Sequence, residues 1–330
     1  MAKDGIGDEF DLIARYFAPL AAGAPGALGL TDDAAIVDLA QGERLVAAAD
    51  ALVAGIHFLA DDPPGDIAAK IVRVNLSDLA AMGARPVGML MTAVFPRDVT
   101  ADWLEAFAQG LKADIEAFAS PLIGGDTVAG DGPLTLSLTA LGAVPLDKVL
   151  TRSGAKAGDG IYVSGTVGDG ALGLIAAGGG IAGLGAEARD YLIGRYRVPR
   201  PRLDLGIRLL DVGNAAIDVS DGLLADLGHI CDCSGAGARI RVASIPLSAA
   251  ARAAVSADSG LWPKILGGGD DYELLFTVPA DRTGAVSDIA AALGLDLSRI
   301  GEVTAGEGIE VEDAQDFGLE LLDPGYRHFR

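Results

Sequence analysis

Two cysteines and three histidines are all that 330 residues contain. Cys231 and Cys233 stand too close together for a comfortable structural disulfide and are too few for a zinc site. So few histidines leave no basis for an imidazole metal centre. Basic residues are also short, 25 against 46 acidic, for a net charge of −21. The positive groove that nucleic acid demands is therefore missing. No apolar run reaches about 18 residues, so no membrane span is expected. The opening MAKDGIGDEF has no apolar signal-peptide core. With so little cysteine, the expected compartment is the reducing cytoplasm. Absent too are G-x-x-x-x-G-K-[ST], a dinucleotide G-x-G-x-x-G, H-E-x-x-H and G-x-S-x-G, which removes P-loop enzymes, Rossmann dehydrogenases, zincins and α/β-hydrolases. Ser164-Gly165-Thr166-Val167-Gly168-Asp169-Gly170 is rich in glycine but is not by itself a phosphate loop.

What is present is a chain half hydrophobic, with 46 glycines and only 5% aromatics. That mix points to aliphatic cores joined by tight turns, and the length allows two domains. A change of character after Pro145 places the expected boundary there, giving domains at 1–146 and 147–330. Apolar spacing predicts helices over 9–20, 67–82 and 100–118, the last capped by Thr100, and over 283–293. Strands are predicted at 45–49 (ending at Asp50), 87–95, 134–139, 161–163, 216–219, 239–243 and 272–278, with a helix from about Ser220. Gly124-Gly125-Asp126 reads as a turn, and 171–188 is ambiguous. Alternating strands and helices predict an α/β or α+β architecture.

Aspartates cluster near the ends of apolar runs: Asp32, Asp33, Asp50, Asp78, Asp126, Asp218, Asp221, Asp270 and Asp271. Singly, each suits a turn or a helix cap. Asp78 does not, because it falls inside a predicted helix among Val74, Leu79 and Met82, where a carboxylate is costly without a cation or donor. Mg²⁺ takes hard oxygen ligands and keeps positions open for phosphate oxygens. Several such carboxylates suit Mg²⁺ held against a polyphosphate, with backbone N–H groups at Gly124-Gly125 and Ser220-Asp221 and the fixed charge of Arg152 as further contacts.

Taken in order, these strings resemble the thiamine-monophosphate kinases. They are Glu9-Phe10-Asp11-Leu12-Ile13, Asp32-Asp33-Ala34-Ala35 and Asp50-Ala51-Leu52-Val53-Ala54-Gly55-Ile56-His57-Phe58. Next come Val74-Asn75-Leu76-Ser77-Asp78-Leu79-Ala80-Ala81-Met82-Gly83, Gly124-Gly125-Asp126-Thr127 and Thr151-Arg152-Ser153-Gly154-Ala155. Ile217-Asp218-Val219-Ser220-Asp221-Gly222-Leu223 and Gly269-Asp270-Asp271-Tyr272-Glu273-Leu274 close the series. The resemblance spans nearly the whole chain. It implies the two-domain fold shared with aminoimidazole ribonucleotide synthetase, with the N-terminal sheets of two subunits pairing into a barrel, hence a homodimer. It also implies transfer of a phosphoryl group from ATP to thiamine monophosphate with several Mg²⁺ ions, and no covalent nucleophile or general base on the enzyme. By the same resemblance Asp33, Asp50, Asp78, Asp126, Asp218 and Asp221 are metal ligands, with the carbonyl of Ala49. Gly125, Asp126, Arg152 and Ser220 are nucleotide contacts, and His57, Glu273 and Tyr326 are substrate contacts.

Two departures stand out. Thr31 precedes the acidic turn where the family usually has Gly, and Ala48-Ala49 replace the usual Ser-Thr before Asp50. The alternatives are another ATP-dependent enzyme of the same superfamily, or a non-catalytic protein that binds nucleotide or thiamine phosphate.

Overall fold

The structure is a computed structural model and describes residues 9–319. Ten strands are described: β1 (Glu43–Val53), β2 (Arg85–Pro96), β3 (Leu122–Gly130), β4 (Thr135–Pro145), β5 (Gly160–Ser164), β6 (Ala215–Asp218), β7 (Gly237–Ile240), β8 (Leu274–Val278), β9 (Leu297–Thr304) and β10 (Gly308–Val311). The helices are α1 (Glu9–Leu12), α2 (Pro64–Ala81), α3 (Ala101–Phe118), α4 (Asp169–Ala177), α5 (Ala186–Arg197), α6 (Leu203–Leu209), α7 (Leu223–Ser234), α8 (Ala249–Ala257), α9 (Trp262–Gly267) and α10 (Thr283–Leu293). They form two compact units. One holds the described residues up to Leu79 with Ala84–Asp147, and the other Ala80–Gly83 with the described residues from Lys148 onward.

The first unit is built on a four-stranded sheet ordered β1-β4-β2-β3, antiparallel except for the β2–β3 pair. Side chains alternate across it. Val46, Leu52, Met91, Ala93, Phe95, Leu136, Leu138 and Ala140 point to a buried face. The helices pack there: Phe95 meets Trp103 and Phe107 of α3 edge-on, with centroids 6.2 and 6.3 Å away. The opposite face is covered around Ile123 and Leu141, which pack against Ala21, Ala27 and Leu30, and is open elsewhere, with Leu45, Leu90 and Val128 exposed by 45%, 37% and 47%. β1 runs through Asp50 rather than ending there. Ala47, Ala49 and Ala51 face outward, and small apolar residues on the open face had concealed the period of two. α3 begins as expected, with Thr100 Oγ1 accepting the Trp103 N–H. The expected helix over 9–20 is broken. α1 gives way to a π-type turn over Ile13–Phe17 and a 3₁₀ turn over Ala18–Ala21, where Pro19 withholds a backbone donor.

The second unit carries a six-stranded mixed sheet ordered β10-β7-β9-β5-β8-β6, in which β10 and β7 alone are parallel. Its core joins Ile161, Val163, Ile217 and Leu275 of the strands to Leu172, Leu192, Leu227 and Ile265 of the helices. The ambiguous segment after Gly170 resolves into α4 and α5. α7 starts at Leu223, three residues later than expected, because Gly222 takes φ 123° and cannot open a helix. Cys231 is buried in α7 and Cys233 exposed, both free thiols.

Candidate active site

In the first unit Asp32, Asp33 and Asp126 line a cavity of about 460 Å³ with Gly124, Gly125, Met91 and Leu141. Gly124-Gly125-Asp126, expected as a turn, lies inside β3 opposite Leu90, Met91 and Thr92. The glycines are there for close strand approach rather than for a reversal. Thr31, at φ −114°, has no need of a glycine. Its hydroxyl donates to Leu28 O at 2.8 Å and secures a turn in which Leu28 and Leu30 are left-handed, at φ 53° and 55°.

Asp50 sits on the other edge of that sheet. Its N–H donates to Asn75 Oδ1 at 3.0 Å, and Asn75 Nδ2 donates to Ile71 O at 2.9 Å. Asn75 thereby bolts β1 to α2, and half-buried Asp78 follows three residues on, along the same helix flank. Asp33 therefore falls with Asp126, and Asp50 with Asp78, at edges about 14 Å apart across three strand spacings. Ala49 lies on the open face just before Asp50. His57 follows β1, with Nδ1 accepting the Val53 N–H at 3.0 Å, which puts the proton of a neutral ring on Nε2. Buried Lys70 donates to His57 O at 3.0 Å and holds this turn.

In the second unit Asp218 is buried at the end of β6, and Ser220 and Asp221 occupy the β6–α7 connection. Sequence reasoning missed Asp226, buried one turn into α7, which accepts the N–H of Asp221 at 3.2 Å and of Gly222 at 3.1 Å. Burial first, then Asp218 and Asp221, push its carboxyl up to about 8. The signal was an aspartate in the first turn of a helix, where it serves the N-terminal amides. Arg152 lies at the far end of α7. Its carbonyl accepts from Ser234 Oγ at 3.4 Å, so the helix separates it from Asp221 by about 18 Å of rise.

Glu273, read by resemblance as a substrate contact, stands just before β8 with its side chain inside the second unit. It is 0% exposed. Oε2 accepts from Ser164 Oγ and Arg202 Nε, both at 2.6 Å, and Oε1 from Arg195 Nη2 at 3.0 Å and Arg202 Nη2 at 2.5 Å. Two guanidinium groups neutralise what burial would otherwise make very costly. Asp271, 1% exposed, accepts from Gly168 N and Gly170 N at 2.6 and 2.9 Å. Tyr326 lies outside the described residues. A second cavity of about 760 Å³, lined by Thr166, Tyr191, Ser248 and Arg252 among others, contains none of the expected site residues.

Burial holds the Asp271 carboxyl up at about 8, against the opposing pull of the Gly168 and Gly170 amides. The folded chain then keeps a proton that the unfolded chain loses near pH 4, so this group's contribution to stability is largest at low pH and is lost as pH rises from about 4 to about 8. Thermal unfolding of the metal-free protein between pH 5 and 9 is expected to show that decline, on the order of a few kcal/mol. Asp226, raised to the same range, contributes to the same decline, so Asp271→Asn should reduce the slope by about half; an unchanged slope in that variant would remove Asp271 as a source.

Among the described residues no group of three or more His, Cys, Asp or Glu side chains is arranged to hold a metal ion by itself. Mg²⁺ does not require one, since it commonly takes one or two carboxylates and fills the rest of its shell with water and phosphate oxygens. The paired carboxylates of the first unit have that form. In the second, Asp226 is raised first by burial and then by Asp218 and Asp221, so a cation beside that acidic group would find negative charge to relieve. The donor sets fit Mg²⁺.

Two family models match, the N-terminal domain of AIR synthase related proteins over residues 31–144 and the C-terminal domain over 156–314. The chain thus has the two-domain α/β architecture of that class. Thiamine-monophosphate kinase of Escherichia coli K12 is 44% identical over 325 residues, covering 97% of this chain and 98% of its own. The Caulobacter vibrioides enzyme of the same name is 43% identical over 91% of this chain and 85% of its own. The structure of thiamine-monophosphate kinase from Stenotrophomonas maltophilia superposes with TM-score 0.80 at 43% identity, covering 86% of this chain and 89% of that one. One described as AaThiL complexed with AMPPCP and TMP gives 0.78 at 30% identity over 97% of each chain. The chain belongs to the thiamine-monophosphate kinase family, a family of phosphoryl-transferring enzymes.

Proposed function

We propose that this chain transfers the γ-phosphoryl group of ATP to thiamine monophosphate, giving thiamine diphosphate and ADP, by direct in-line attack. The observation that carries this is the match along 97% of its length both to kinases named for that substrate and to a structure holding AMPPCP and TMP. The acceptor phosphate has its second ionisation near pH 6, so it is largely dianionic at neutral pH and needs no general base. Bound Mg²⁺ would supply charge neutralisation between the two phosphates. In the first unit Asp33 with Asp126 at one sheet edge, and Asp50 and Asp78 with the Ala49 carbonyl at the other, would hold separate ions, and in the second Asp218 and Asp221 would hold another. Gly125 and Ser220 offer backbone and hydroxyl contacts to the nucleotide, while Arg152, set back at the far end of α7, would add its fixed positive charge at a distance rather than by contact. The Nε2–H of His57 suits a substrate oxygen, whereas Glu273, both oxygens engaged by Ser164, Arg195 and Arg202, would act by holding those side chains in place. The open sheet face of the first unit, with Leu45, Leu90 and Val128 exposed, suits burial against a second copy, making a homodimer. The enzyme would work in the cytoplasm; among the described residues no helix is long and apolar enough to cross a membrane.

The test is ATP turnover with thiamine monophosphate against other phosphomonoesters. ADP and thiamine diphosphate should appear together and only with Mg²⁺ present. Equal turnover with unrelated phosphomonoesters, or binding without turnover, would reject the reading. A ping-pong pattern or a phosphorylated aspartate would reject direct transfer alone.

A further inference from the structure

We infer that Asp271 is a positioning residue, clasping the glycine-rich segment after β5 to the turn before β8 and so fixing the backbone around Ser220 and Asp221. Only the kinetic part of this rests on the phosphotransfer reading above.

The turn is sterically unusual. Asp270 and Tyr272 are both left-handed, at φ 72° and 52°, a conformation that side chains bearing a Cβ resist. Two such residues in three persist only where the surroundings determine them from several sides. From one side, the buried Asp271 carboxyl receives the amides of Gly168 and Gly170, one on each oxygen. From the other, Asp270 N–H donates to Ser220 O at 3.0 Å, Tyr272 N–H donates to Val219 O at 2.8 Å, and Val219 N–H returns to Glu273 O at 2.8 Å. Arg195 is a third anchor, its Nη2 reaching Asp271 O at 3.3 Å and Glu273 Oε1 at 3.0 Å.

Glycines bring these segments into backbone contact. A Cβ on Gly170 would overlap Asp270 O, and one on Gly269 would overlap Ser220 O. At Gly222 it would stand 2.8 Å from Gly267 C. With no side chain between the strained turn and the β6–α7 connection, any relaxation at 270–272 passes directly into Ser220 and Asp221. Aspartate is specifically suited because each carboxyl oxygen keeps a lone pair for its amide whether or not the acid holds its proton. Asparagine keeps one acceptor and turns an NH₂ toward the second amide.

The experiment compares Asp271→Ala and Asp271→Asn in the full chain. Steady-state kinetics with Mg²⁺, ATP and thiamine monophosphate are paired with amide hydrogen exchange of metal-free protein, read at 219–222 and 270–272. Asp271→Ala is expected to lower kcat by about 10²-fold and Asp271→Asn by about 10-fold, with KM for thiamine monophosphate nearly unchanged. Exchange at the Asp270 and Tyr272 amides should quicken in both variants, while β1 and α3 amides keep wild-type rates. Unchanged exchange at those two amides, or faster exchange with wild-type kcat, overturns the inference. If Asp271→Ala does not fold, Asp271→Asn decides by the same readings. A wild-type chain that fails to turn over thiamine monophosphate would sink the phosphotransfer reading instead, and exchange would still decide whether the clasp exists.

Discussion

Asp78→Asn is expected to lower kcat by roughly 10²- to 10³-fold, about 3–4 kcal/mol of transition-state stabilisation, while the unfolding midpoint stays within about 2 °C of wild type. The two readings separate because the position is half-buried on α2 and the change is isosteric. Asp and Asn have similar helix propensity, and the bolt between α2 and β1 belongs to Asn75, which remains. What disappears is the charge, and with it a hard anionic ligand for Mg²⁺ beside Asp50. Asp102→Asn, an exposed change at the start of α3, serves as control and should alter kcat less than twofold. Near-normal turnover in Asp78→Asn would strike that residue from the metal-binding set.

Much of what positions this site was legible locally. The run over 67–82 is the α2 of the structure to within three residues, and the Thr100 cap and α10 appear where apolar spacing put them. These features depend on neighbours three or four residues away, which the sequence displays directly. What it concealed depends on distant partners. Glu273 reaches Ser164 across 109 positions, Arg195 across 78 and Arg202 across 71. No local pattern distinguishes such a carboxylate from a solvated one. Asp226 was overlooked for the opposite reason: its partners lie only four and five residues back, but they are backbone amides, which leave no mark in the sequence. The Gly124-Gly125-Asp126 string was misplaced because glycine has two uses, reversal of the chain and close approach of a neighbouring strand, and composition cannot separate them.

That second use of glycine leads to the other large effect. Gly125→Ala is expected to cost more than about 3 kcal/mol and to lower the unfolding midpoint by about 10 °C, with turnover impaired even where the protein remains folded. Gly125 has φ 153°, and a Cβ there would overlap Met91 O and stand 2.8 Å from Met91 C and 3.0 Å from Met91 N. All three atoms are backbone of β2, so no rotamer change relieves the clash; β2 and β3 must part. Asp126 would move with β3, and the cavity it shares with Asp33 would change shape. Two neighbours calibrate the result. At Gly124 the added methyl meets Leu90 Cδ2 at 2.9 Å, the end of a side chain that can turn away, so Gly124→Ala should cost about 1 kcal/mol. At Gly132 nothing lies within 4 Å, and Gly132→Ala should be neutral. Calorimetry of the three variants gives the ranking. A Gly125→Ala protein melting within about 1 °C of wild type would show that β2 does not approach β3 as closely as described, and would remove the steric reason for glycine beside Asp126.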